Sequence, residues 1–261
     1  MNLNPRHQDI LALIKRQGFI ATETLAQTFQ VTAQTIRRDI NELCDQGLLR
    51  RHHGGAAPIS SIENVNYTDR QILNHANKQR IAQRLAEQIP DNASLFINIG
   101  TTTEAVAKAL SGHKNLRIIT NNLNVATHLS AHPDNEVIVA GGVVRSDGGV
   151  IGESTIDFIR QFKVDYGIIG ISGIDTDGTL LDYDYREVRV AQAIIDNARE
   201  VFLAADHTKF TCTPMVRLCH IGDIDALFTD RTPPEEIQPI LTQSNVRVYV
   251  APTTETGHQT A

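Results

Sequence analysis

The chain has 261 residues, 41% hydrophobic and 21% charged, with a formal net charge of −6, which is enough for one large domain or two smaller ones with real cores. No apolar run approaches the roughly 20 residues needed to span a bilayer, which excludes a helical membrane protein. The opening residues MNLNPRHQDI lack an apolar signal core, and Cys44, Cys212 and Cys219 form no C-x-x-C pair, so a cytoplasmic, reducing location with inert thiols is expected.

The charge is uneven. Residues 1–57 hold seven Lys/Arg against five Asp/Glu and carry +2, which leaves −8 for the remainder. Such asymmetry suggests a nucleic-acid partner for the basic part alone. Within it, Ile10, Leu11, Leu13 and Ile14 recur at helical spacing from Arg6 to Gln17, and Gly18 follows as a stop. Thr22 precedes ETLAQTF, where Leu25, Ala26 and Phe29 line one face, and Thr22 is the expected cap. Thr32 is the expected cap of a third helix that buries Ile36, Ile40 and Leu43 and closes at Gly47. Two short helices joined by a tight turn, with another ahead of them, make a helix-turn-helix pattern.

At about 100° per residue, Gln34, Arg38 and Asn41 fall opposite the apolar stripe, flanked by Thr35 and Arg37. The first turn of a recognition helix reaches base edges in the major groove. Arg and Gln bond two base atoms at once, and Thr contacts a base or a phosphate. A solvated amphipathic helix would show the same face. The next stretch, LLRRHHGGAAP, suits a short strand pair turning at Gly54 and Gly55, a wing beside the recognition helix. Arg50, Arg51, His52 and His53 would then meet backbone phosphates. No cysteine or carboxylate lies near the two histidines at ligand spacing, so no metal is expected.

TIRRDINEL followed by RRHHGGA resembles the winged helix of the DeoR family of bacterial repressors. The resemblance continues through RIAQRLAEQIP, IGTTTEAVA, LRIITNNLNVA, DGGVIGE and GISGIDTDG, and fades after Val246. It implies a repressor that binds double-stranded operator DNA as a dimer or tetramer. A phosphorylated metabolite would release it, sn-glycerol 3-phosphate first among them, and no cofactor would be needed. It also implies that Tyr67 and Arg70 help set the geometry between domains. Asn98 departs from the family's usual Asp, and Thr208 and Thr211 replace the usual Ser and Gly around Lys209.

Four segments follow from this reading: a winged helix-turn-helix at 1–57, a linker at 58–79, an effector-sensing domain at 80–252 and a tail at 253–261. Past the linker, a helix through KQRIAQRLAEQI should end at Pro90 and Asp91. Strand and helix patterns then alternate: SLFINIG, TTTEAVAKAL, LRIIT, NNLNVATHLS, EVIVA, STIDFIRQF, DYGIIGIS, REVRVAQAIIDNA, EVFLAAD, IDALFTD, PEEIQPILTQ and VRVYV. That is an α/β domain with a largely parallel sheet. It resembles the fold shared by ribose-phosphate isomerases and glucosamine-phosphate deaminases.

Ligands of such sheets bind beyond the carboxyl ends of the strands. At the first junction, Gly100 lets the backbone turn, and Thr101, Thr102 and Thr103 offer hydroxyls and N–H groups at a helix start. A phosphate fits there, although helix capping needs only one threonine. Thr120 and Asn121 at the second junction, and Gly141, Gly142 and Arg145 at the third, are further candidates. GIDTDGTLLDYDYREV and ADHTKF add Asp175, Asp177, Glu187, Asp206 and Lys209. Carboxylates and a lysine around an anion pocket serve proton transfer in an isomerase, and equally hold hydroxyls in a sensor. A sugar-phosphate isomerase or deaminase with an appended DNA-binding module is therefore the alternative. The fused winged helix, useless to a metabolic isomerase, favours the sensor.

Overall fold

The structure, a computed structural model, describes residues 3–17, 19–52, 54–58, 64 and 67–252. The expected stop at Gly18, the candidate His53, most of the linker's first half and the tail 253–261 lie outside the described residues.

The N-terminal module runs α1 (Pro5–Gln17), β1 (Ile20–Ala21), α2 (Thr22–Thr28), α3 (Ala33–Asp45), β2 (Arg50–His52) and β3 (Gly55–Ala57). Its core is the expected stripe: Ile10, Ile14, Leu25, Ile36, Ile40 and Leu43 pack together with Leu49 and Ala56. Thr32 caps α3 by accepting the Thr35 N–H. Thr22 does not cap α2. It is the first helical residue, buried, and its N–H goes to the Gly54 carbonyl because β1 brings the chain against the wing. The end of α3 is a Schellman turn: Leu48 N–H reaches Leu43 O, Gly47 N–H reaches Cys44 O, and Gly47 takes φ +67°. Sequence periodicity missed β1, a two-residue strand that pairs with β3. Inside the module Asp39 is buried, bound by Arg6 at 2.6 and 3.0 Å and by His7 at 3.1 Å.

Two short helices, α4 (Tyr67–Ile72) and α5 (His75–Ala86), lead into the larger domain. They meet at a sharp corner where Asn74 takes φ +54°. The helix α5 ends at Ala86, ahead of the expected Pro90 stop, in turns that tie Gln88 to Leu85 and Ile89 to Ala86.

The larger domain continues with β4 (Ser94–Ile97), α6 (Thr101–Ala109), β5 (Arg117–Thr120), α7 (Leu123–Leu129), β6 (Glu136–Val139), β7 (Val143–Val144), β8 (Val150–Ile151), α8 (Glu153–Ile159) and β9 (Val164–Ile169). It closes with β10 (Gly173–Ile174), β11 (Thr179–Asp182), α9 (Tyr185–Asp196), β12 (Ala198–Ala204), β13 (Val216–His220), β14 (Ala226–Thr229), α10 (Gln238–Gln243) and β15 (Arg247–Val250). Seven strands pair in the order β15-β14-β12-β9-β4-β5-β6, every pair parallel. Alternating strand residues face opposite layers. Leu95 and Ile97 join α5, α6 and α7 on one face, while Phe96 joins α8, α9 and α10 on the other. The hairpin β7-β8 and the antiparallel sheet β10-β11-β13 were not legible, because their strands are short and lie among turn residues.

The strand order sets the site. From β4 the chain winds one way through β5 and β6, and from β9 the other way through β12, β14 and β15. A crevice opens where such a sheet reverses direction. Here that is beyond the ends of β4 and β9. Among the described residues no helix is long and apolar enough to cross a membrane.

Candidate functional site

Gln34, Arg37, Arg38 and Asn41 are exposed on α3, and Thr35 is half-buried with its hydroxyl 2.9 Å from that of Thr32. Arg38 is 82% exposed and held loosely by Glu42 at 3.0 Å, one helical turn on. Arg37 lies 3.8 Å from Glu23. The wing alternates as a strand must. Arg51 donates to Asn41 of α3, while Arg50 shares the other face with His52, at 3.1 Å. Arg50 and Arg51 both line a cavity between the two domains, so the wing borders that cavity as well as meeting α3 through Arg51.

That cavity, about 130 Å³, lies at the crevice. Its floor is Gly100, Thr101 and Thr102 from the β4 end and Gly170, Ile171 and Ser172 from the β9 end. Gly100 takes φ +146°, which a side chain would resist, and turns the chain into the first N–H groups of α6. One wall carries Lys209, Thr208 and Thr211 from a 3-10 turn, His207–Thr211, after β12. The opposite wall carries Arg70 and Lys78 from α4 and α5, and the roof is Cys44, Gly47, Leu49 and Arg50 of the winged helix.

Five cations thus line one cavity with acids among them: Arg50 and Arg51 from the wing, with Arg70, Lys78 and Lys209. Burial, followed by the nearby Lys209 charge, pushes the Lys78 ammonium down to about 8, and its Nζ donates to the Arg70 carbonyl. Burial pushes Glu187 up to about 8, and the neighbouring Asp182 adds to this. Burial also raises Asp182, whose carboxylate accepts from Ser172 at 3.1 Å and from the Tyr183 N–H at 2.6 Å. Burial would raise Asp206 as well, but Lys209 and the Thr208 hydroxyl outweigh it and hold the carboxyl below its usual range. The cavity is polarised: cations beside a helix start, and two carboxyls, Glu187 and Asp182, that take up protons more readily than usual.

Of the residues put forward from sequence for the effector pocket, Gly100, Thr101, Thr102, Glu187, Asp206 and Lys209 line this cavity. The others do not. Thr103 is fully buried and its hydroxyl donates to Asn98 O and Gly100 O. Thr120 donates to Ile97 O, and Asn121 is buried against Val150 O. Gly141 accepts from Thr155, and a Cβ on Gly142 would lie 2.3 Å from that Thr155 hydroxyl, so both serve the turn into β7. Asp175 binds the Thr176 N–H within the β10–β11 turn, and Asp177 binds the Thr179 N–H there. Arg145 reaches the cavity indirectly. It pairs with Glu187 at 2.9 Å, Asp184 at 3.2 Å and Asp147 at 3.1 Å. Arg70 joins the same Asp147 at 3.3 Å, and Tyr67 donates to Glu104 at 2.8 Å, so α4 is tied to the sensor by both.

Lys78, Asn74, Ser172 and Asp182 were missed. Lys78 left a signal: it sits three and four residues before Ile81 and Ala82, on the buried stripe of α5. A lysine on an apolar stripe needs a reason. The other three left none.

Comparison with known proteins finds two matched regions. Residues 6–62 match the DeoR-like helix-turn-helix domain, and residues 73–231 match the DeoR C terminal sensor domain. The chain is 52% identical to the glycerol-3-phosphate regulon repressor of Escherichia coli (strain K12), over 95% of this chain and 99% of that protein. It is also 52% identical to the Haemophilus influenzae protein of the same name, over 89% and 91%. Among solved structures, ribose 5-phosphate isomerase from Methanocaldococcus jannaschii is similar at a TM-score of 0.39 and 12% identity, over 52% of this chain and 55% of that one. With both its domains matched and relatives this similar over nearly its whole length, the chain belongs to the DeoR family of transcriptional repressors.

Proposed function

We propose that this repressor binds operator DNA through Thr32, Gln34, Thr35, Arg37, Arg38, Asn41 and the wing, and that a phosphorylated metabolite in the crevice releases it. It works in the cytoplasm as a symmetric dimer or tetramer, which sets two recognition helices about one DNA turn apart. The effector is sn-glycerol 3-phosphate. The observation that carries this reading is the convergence of Lys78, Lys209 and Arg70 on the Gly100–Thr101–Thr102 helix start in one cavity roofed by the DNA-binding module. The phosphate takes the helix start and the cations, and Asp206 and Asp182 accept from the hydroxyls. The effector has no carbonyl, so Lys209 acts as a charge and not as a Schiff base.

The test is operator binding, followed by anisotropy on a duplex selected from random sequence, with and without sn-glycerol 3-phosphate. The effector must favour the DNA-free form, since equal affinity for both forms releases nothing. An operator complex indifferent to the compound would refute this effector. Arg38→Ala should weaken specific binding by about 1–3 kcal/mol, because Arg38 is exposed on the outward face and only loosely engaged. Arg51→Ala should weaken specific and random duplexes alike. Competition at fixed salt separates the two effects.

Thr102→Val keeps the size and loses the hydroxyl at the cavity floor. It should weaken effector affinity by about 0.5–3 kcal/mol, the larger value applying if the lost bond goes to charged phosphate. Operator affinity without effector should stay put. Purified protein should show no turnover of pentose or hexosamine phosphates. Sustained turnover that Glu187→Gln abolishes would reassign the cavity to catalysis.

A further inference from the structure

The turn His207–Thr211 has two faces. Thr208, Lys209 and Thr211 line the effector cavity. At the rim of that cavity the same turn meets the C-terminal end of the recognition helix. The His207 Nε2 lies 3.8 Å from Asp45 of α3. A Cβ on Gly47 would lie 2.1 Å from the Thr211 Cβ, so helix end and turn are in contact with no slack between them.

Both partners of this contact are stiff. Within the turn, Asp206 caps by accepting the Thr208 N–H at 3.0 Å, Lys209 N–H bonds Asp206 O at 3.0 Å, and Thr211 donates to Thr208 O at 2.9 Å. The turn is anchored to the sheet through Asp230, which accepts from the His207 N–H and contacts its Nδ1, both at 2.7 Å. Burial favours the neutral imidazole, but the Asp230 carboxylate prevails and raises the His207 pKa. The ring is therefore suited to carry charge between two carboxylates, one in each domain. Gly47 belongs to the Schellman turn that closes α3, so it moves with that helix. Close-packed elements do not deform smoothly. They shift as units between discrete arrangements.

We propose that this turn is the coupling element of the repressor: a ligand that engages Lys209 on the cavity side repositions the turn, and the His207–Asp45 pair and the Thr211–Gly47 contact pass that shift to the end of α3. The proposal rests on the cavity being the effector site. It assigns His207 and Asp45 a role in communication, with contact to neither DNA nor effector. They are positioning residues, and their loss should uncouple two binding events that each persist.

The experiment measures both events on the full chain. Calorimetry gives the affinity of sn-glycerol 3-phosphate for wild type, Asp45→Asn, His207→Gln and the double variant. Anisotropy gives operator affinity with and without saturating ligand. The ratio of those two operator affinities is the coupling factor. Removing an acid from α3 strengthens DNA binding equally in both measurements and cancels in the ratio. Each single variant should bind the ligand within about twofold of wild type and lower the coupling factor by about threefold or more. The double variant should fall no further than the singles, as residues acting through one contact are non-additive. Asp45→Asn is isosteric and at a half-exposed position, so it carries the test should His207→Gln fold poorly. A wild-type coupling factor in variants that bind ligand normally would overturn the proposal and leave the effector site intact. Wild-type protein that binds no ligand would overturn the effector site and the coupling with it.

Discussion

Replacing Lys78 with methionine should remove most of the effector affinity and at the same time make the protein harder to unfold. The lysine is 5% exposed, and burial holds its pKa down near 8. A buried ammonium is a liability, only partly offset by its bond to the Arg70 carbonyl and by the nearby Asp206 and Glu104. Methionine keeps the stem and removes the charge, so stability should rise by about 1–2 kcal/mol. The lost charge-assisted bond to phosphate should cost about 2–3 kcal/mol of affinity, a loss of about 30- to 150-fold.

The pH dependence has a definite sign. The Lys78 charge attracts the ligand below about 8 and is lost as pH rises through that value. Glu187 turns negative over the same range, since its pKa is also near 8. Both changes repel an anion, so affinity should fall above pH 8, by up to about tenfold per pH unit for each proton lost. The ligand's own second phosphate ionisation, near a pKa of about 6, is complete before this. Stability moves the other way for the lysine: between about 8 and its ordinary value the unfolded chain holds the extra proton, so its penalty shrinks as pH rises. Calorimetric titration of wild type and variant from pH 6.5 to 9, with thermal melts alongside, reads all of this. Wild-type affinity in Lys78→Met would place the phosphate elsewhere.

Asp39→Ala should cost the winged helix about 2–4 kcal/mol and abolish operator binding near growth temperature, while effector binding survives. Asp39 lies on the buried side of the recognition helix and is the common partner of Arg6 and His7. Its removal leaves His7, 3% exposed, without its nearest carboxylate. Burial would raise the Asp39 pKa, but the Arg6 and His7 bonds outweigh it and hold the carboxyl below its ordinary range. Its contribution is thus present above that ordinary range and fades as pH falls through the lowered value. Hydrogen exchange of α1 and α3 against the strands of the larger sheet checks the assignment. Wild-type protection of α3 in Asp39→Ala would refute it.

What was legible beforehand follows from the range of the forces involved. The helix α3, its Thr32 cap, its Gly47 stop and its apolar stripe all arise within a few residues of chain, where periodicity and capping chemistry act. The alternation of strands and helices is local in the same sense, and the α/β class came with it. Thr22 is the instructive exception. It has the chemistry of a cap, but the Gly54 carbonyl, remote in sequence, takes its N–H where β1 pairs with the wing.

Local sequence carries the main helices and the strands of the parallel sheet, the residues that α3 leaves outside its apolar stripe, and the glycine and three threonines at the end of β4. The tertiary structure alone decided which strand ends meet. Six parallel pairings join the seven strands, and the winding reverses between β4 and β9. That reversal joins Gly100 and Thr102 to Lys209 and leaves Gly141, Gly142 and Asp175 to their own turns. It also brought in Lys78 from the point where the linker passes into a helix, and closed the cavity with the wing and the end of α3. Side-chain chemistry is written residue by residue. Proximity across a sheet is the outcome of burying both of its faces at once, and no single stretch of sequence carries it.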